Sequence, residues 1–72
     1  MDPNANLLEQ ERLIVSITTD KTRRDYKRHA RHANRRLSEL RQALYDWVRD
    51  GGFEPDWSKA PNASIYYGKQ IG

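Results

Sequence analysis

Apolar or small residues recur through the middle of the chain at Tyr26, Ala30, Ala33, Leu37, Leu40, Leu44 and Trp47, at spacings of 4, 3, 4, 3, 4 and 3. That alternation keeps one face of a helix continuously apolar, as in a heptad seam, and Val48 widens it at its end. No Gly or Pro interrupts the stretch from Thr22 to Asp50. Thr22 followed by Asp25 reads as a helix start, and Gly51-Gly52 as a stop. The pattern predicts a helix over 23–50, roughly 42 Å long at about 1.5 Å per residue. Upstream, Leu7, Leu8, Leu13, Ile14, Val15 and Ile17 fall on one broad helical arc that leaves Glu9 and Arg12 outside it. Asp2-Pro3 offers a helix entry, and Asn6 with Glu9 three residues on offers a second of the capping-box kind. A first helix over about 4–19 follows. The β-branched run Leu13–Thr18 also suits a short strand, but no nearby segment reads as its partner, which favours helix.

The remainder, 51–72, holds all four glycines and two of the three prolines. It therefore reads as an irregular tail, with a weak strand or a turn of helix around Ser64–Tyr67. Its Phe53 and Trp57 are each large enough to bury about 150–250 Å², and are expected to fold back onto the apolar end of the long helix. The fold class is accordingly all-α: an antiparallel helical hairpin with an aromatic C-terminal tail. A short link around Thr19–Lys21 sets the two helices side by side. The first helix, about half the length of the second, should cover the Tyr26–Leu37 half of the seam. Leu40, Leu44, Trp47 and Val48 then project beyond it and require a cover. The tail, a second copy of the chain, or another protein could supply one. A dimeric helical bundle is the first expectation, with Leu37, Leu40, Leu44, Trp47, Val48, Phe53 and Trp57 as the interaction seam.

Seventy-two residues form one small domain. A chain this short buries only about 60% of its unfolded surface, and 36% apolar residues leave little from which to build a core. With no cysteine, disulfides and thiolate zinc sites are excluded as staples. No apolar run approaches the roughly 18 residues of a membrane span, and no signal-peptide stretch opens the chain. The expected setting is cytoplasmic, without a membrane partner.

A net charge of +3 conceals an uneven distribution. From Lys21 to Arg36 there are eight basic residues and one acid, while the rest of the chain carries a net −4. On the helical wheel Arg24, Lys27, Arg28, Arg31 and Arg35 cluster opposite the seam, with Arg23 and Arg36 flanking. A charged face opposite an apolar one is what any amphipathic helix shows. Here the face is of one sign, whereas stabilising surface helices mix acids and bases at i,i+4. Cations in a helix's N-terminal half also oppose its dipole. The stripe therefore suits a phosphate backbone or an acidic protein groove, because guanidinium donates in a planar fork to both.

Catalytic chemistry has no foothold. His29 and His32 could share a metal, but they lack an evident third ligand and sit among cations. No Gly-rich phosphate loop, nucleophile motif or paired acid–base carboxylates occur. No enzyme activity, cofactor, metal or small-molecule substrate is expected. Asn62-Ala63-Ser64 matches a glycosylation sequon without a secretory context. The basic-then-leucine order is that of a basic zipper, yet under two heptads of leucine seam remain before Gly51, and a helix-turn-helix would need a third helix.

Asp2-Pro3-Asn4-Ala5-Asn6-Leu7, with Ala43-Leu44-Tyr45-Asp46-Trp47 and Gly51-Gly52-Phe53-Glu54-Pro55-Asp56-Trp57, resembles a group of small proteins from actinobacteria and their phages. The resemblance covers about a third of the chain, and the basic middle departs from it. It implies an origin in that group and implies that Trp47, Gly51, Gly52, Phe53, Pro55 and Trp57 act as one unit. Physically, Gly51 can take a left-handed conformation, Gly52 extends the reversal, and Pro55 stiffens the return. The sequence thus reads as a non-catalytic interaction module that engages a protein through seam and tail. The alternative is a nucleic-acid binder using the basic face.

Overall fold

The computed structural model describes residues 1–19, 24 and 26–69. Its elements are α1 (Pro3–Thr19), α2 (Tyr26–Arg49), a 3-10 turn (Trp57–Lys59) and α3 (Pro61–Ile65). Among the described residues there is no strand. The expected start of the second helix at Thr22 and Asp25, and most of the link, lie outside the described residues.

Both long helices are punctuated by local chemistry. The Asp2 carboxylate accepts from the backbone N–H groups of Asn4 and Ala5 at 3.0 and 3.2 Å, so Asp2 caps α1 and Pro3 takes the first turn. Asn6 has a different task from the capping one expected of it. It is buried, and its amide donates to the Leu40 carbonyl on α2 at 3.1 Å. The β-branched end of α1 stays helical. There the Thr18 and Thr19 hydroxyls donate back to the Val15 carbonyl at 2.9 and 2.8 Å, which satisfies groups that a strand would have paired elsewhere. At the end of α2, Gly51 adopts φ +94°. Its N–H reaches the Val48 carbonyl at 3.1 Å, and the Gly52 N–H reaches that of Trp47 at 2.8 Å. This double bond pattern is the Schellman reversal.

The helices run antiparallel. Asn6 meets Leu40, Glu9 meets Arg36 at 2.8 Å, and Ser16 meets His29 at 2.6 Å. In this register α1 extends past Leu37 and covers Leu40 and Leu44, farther than its expected share of the seam. Seventeen residues at the same rise as their partner must span a similar number of its residues.

The tail supplies the third side of the core and is ordered by the first helix. Glu11 accepts from the backbone N–H groups of Asn62 and Ala63 at 3.0 and 2.9 Å, and from the Asn62 amide at 2.7 Å. A side chain of α1 thereby caps α3. Asn4 does the same for the chain ahead of it, accepting from the Asp56 N–H at 2.7 Å. Leu7, Leu44, Ala60 and Ala63 form the buried centre, with Ile14, Trp47, Val48, Trp57 and Tyr67 packed around it. Small Ala60 and Ala63 let the tail approach closely. Gly68, at φ +73°, closes the short helix with a second reversal of the same kind.

Candidate functional site

The seam divides into interior and surface. Leu37, Leu40 and Leu44 are 3%, 7% and 0% exposed, covered by α1 and by the tail of the same chain. They are core residues, and a partner could reach them only by opening the fold. Trp47, Val48 and Trp57 are half-buried, and Phe53 stands out at 63% exposure.

The predicted Trp47–Trp57 unit resolves into two. Trp47 packs edge-on against Phe53, with ring centroids 5.7 Å apart, and its indole N–H donates to the Phe53 carbonyl at 2.9 Å. A Cβ on Gly52 would collide with the Trp47 ring, which is why that position admits no side chain. Trp57 instead packs on Tyr67 at 5.1 Å. The two tryptophans meet through the buried core they flank.

Along the other side of α2 lie Lys27, Arg28, Arg31 and Arg35, all exposed; Arg24, expected on the same helix, is an exposed turn residue ahead of its start at Tyr26. Among the described residues none of the five has a carboxylate within ion-pair distance. Arg36, which flanks them, behaves differently. It pairs with Glu9 at 2.8 Å and with Glu39 at 3.7 Å. The hydrogen bond from Arg36 holds the Glu9 carboxyl below its ordinary range, and the same bond raises the guanidinium. The described acids are mostly engaged within the molecule. Asp2 and Glu11 cap helices, and Asp56 caps the 3-10 turn through Ser58. Asp46, Asp50 and Glu54 face Arg49 or Lys69 at 3.4 Å. Of the two histidines, His29 turns toward α1 and Ser16, away from the cation stripe, while His32 is exposed. Among the described residues no three His, Cys, Asp or Glu side chains group as a metal site would require.

Past the C-terminal half of α2 an open groove of about 590 Å³ is bounded by Tyr45, Val48, Arg49, Trp57, Tyr66 and Lys69, with Glu54 and Tyr67 completing it. Each wall carries a cation over a ring. Arg41 sits 4.3 Å from the Tyr66 centroid, Arg49 5.9 Å from Tyr45, and Lys69 5.6 Å from Trp57. Tyr66 also meets Tyr67 edge-on at 5.0 Å. The seam pattern does not reveal this groove. Its signal is Pro61 followed seven residues later by Gly68, a helix entry and exit that place Tyr66 and Tyr67 on one turn.

No described helix is long and apolar enough to cross a membrane. Comparison of the chain with protein-family models, curated proteins and solved structures finds no match.

Proposed function

We propose that the chain is a non-catalytic binding module that holds nucleic acid by its phosphate backbone, through Arg24, Lys27, Arg28, Arg31 and Arg35. One observation carries this reading. The described acids are mostly engaged in caps and ion pairs, whereas these five exposed cations have no carboxylate partner among the described residues. Four of these cations lie in the N-terminal half of α2, where they oppose its dipole, and Arg24 lies just ahead of them; they contribute nothing evident to the fold. They match the spaced charges of a phosphate chain.

Binding of labelled nucleic acid measured across salt concentrations tests this. If about five phosphates are engaged, affinity falls roughly 100- to 1,000-fold between about 50 and 200 mM salt. Replacing Arg28 and Arg31 with Glu lowers both the affinity and the slope. Absence of salt-sensitive binding at low ionic strength rules the reading out.

A second reading, a protein partner, is supported by the exposure of Phe53 and Ile65 at 63% and 64% beside the tail groove. It uses the tail surface and leaves the leucine seam closed. A homodimer would have to form on the same surface, which light scattering would detect. Capture of a partner protein that is lost with Phe53→Asp favours this second reading. On the resemblance of its two ends we place the protein in the cytoplasm of a bacterial host.

A further inference from the structure

Resting on the nucleic-acid reading, we infer that the preferred ligand is single-stranded, with phosphates along the basic half of α2 and an unpaired base in the aromatic groove at its far end. The two features lie on one continuous track. At about 100° per residue, Lys27, Arg31, Ser38, Arg41, Tyr45 and Arg49 share an arc of about 80° over about 33 Å of helix. All are exposed except half-buried Arg41. Arg28, Arg35, Glu39 and Asp46 lie about 40–80° beyond one edge of this arc, and the first carboxylate to meet the track is Asp46, which pairs with Arg49 at 3.4 Å.

Charge changes along the track in a way that suits one strand. Its first half bears cations with no described carboxylate partner. In the groove Glu54 offsets Lys69, and Asp46 and Asp50 offset Arg49. The groove is therefore near neutral, and it is walled by aromatic faces. A phosphate has no reason to enter it. A base does, because every base has a face that stacks on an aromatic ring, and guanidinium planes add to that attraction. Tyr66 is 58% exposed and Tyr45 54%, so each has free ring surface to offer. The groove volume of about 590 Å³ falls in the range of small-molecule clefts. A duplex keeps its bases stacked and paired, and could use only the basic half.

Fluorescence anisotropy at low salt tests this with three labelled probes of roughly 12 nucleotides: a single strand, the same sequence as duplex, and an abasic strand of equal charge. The single strand should bind at least about 5-fold more tightly than the other two. Tyr66→Ala should weaken the single strand about 5- to 150-fold and leave the duplex unchanged. Tyr66→Phe should retain binding. Tyr45→Ala, on an exposed helical position that favours Ala, should reproduce the loss with helicity intact by circular dichroism. Equal binding of all three probes, or tyrosine variants that fold and bind the single strand undiminished, overturns this inference while leaving the backbone reading standing. Binding of none of the probes overturns both.

Discussion

Gln10 on α1 donates to the hydroxyl of Tyr67 at 3.0 Å across 57 residues of sequence. The same amide donates to Asn6 at 2.7 Å, and Asn6 in turn reaches the Leu40 carbonyl. A chain of polar groups thus passes through the centre of an otherwise apolar core. Gln10 is fully buried, so its amide depends on these partners.

Tyr67→Phe removes one partner and fills nearly the same volume. Leaving a buried amide short of a bond costs about 1–3 kcal/mol. Urea denaturation should show that loss as a lower midpoint with an unchanged slope.

Burial raises the Tyr67 hydroxyl above the ordinary tyrosine value of 10.0. The unfolded chain therefore releases this proton at lower pH than the folded one. Tyr67 supports the fold fully below about pH 10, and its contribution is lost as pH rises through the elevated folded value. Stability measured against pH should fall on the alkaline side, less steeply in Tyr67→Phe. The phenolate absorbance missing from that variant should appear above pH 10.

The paired glycines after α2 should respond differently to alanine. At Gly51 an added Cβ meets open space but a left-handed backbone, which costs roughly 1–2 kcal/mol. At Gly52 the added Cβ runs into the Trp47 ring, and relieving such overpacking costs about 1–3 kcal/mol. Only Gly52→Ala should shift tryptophan emission, because only it displaces Trp47 from Phe53.

Leu44→Ala removes a fully buried side chain and should cost about 2–5 kcal/mol. Leu44→Asp separates core from interface. The fold described here requires loss of helicity by circular dichroism. A folded protein that merely halves in mass by light scattering would reassign Leu44 to a subunit contact.

The hairpin and the cation stripe were legible in the sequence because both depend on the helical period alone. Tyr26 to Trp47 gives the buried face, and Lys27 to Arg35 must then point outward, whereas Arg24 lies in a turn ahead of the helix. Gly51 announced its own reversal. What escaped depends on tertiary contact. Gln10 lies between Ile14 and Ile17 on the helical wheel, yet as a polar amide it reads as surface, since nothing local reveals that Tyr67 and Asn6 will satisfy it. The helix at Pro61 is too short for periodicity to show, and its cap, Glu11, comes from a distant element. The groove beside Tyr66 exists only because that cap fixes the path of the tail.

The cap from Glu11 also bears on the order in which the molecule is made. As the chain leaves the ribosome, α1 and α2 can form a hairpin, but Leu44 and Gln10 remain without part of their surroundings. Ala60, Ala63 and Tyr67 complete the core, so no shorter N-terminal stretch contains a finished interior. Nascent chains halted before Ala60 should be cut readily by protease, and those extending well past Tyr67 should resist. The last described segment thereby acts as the latch that makes folding all-or-none.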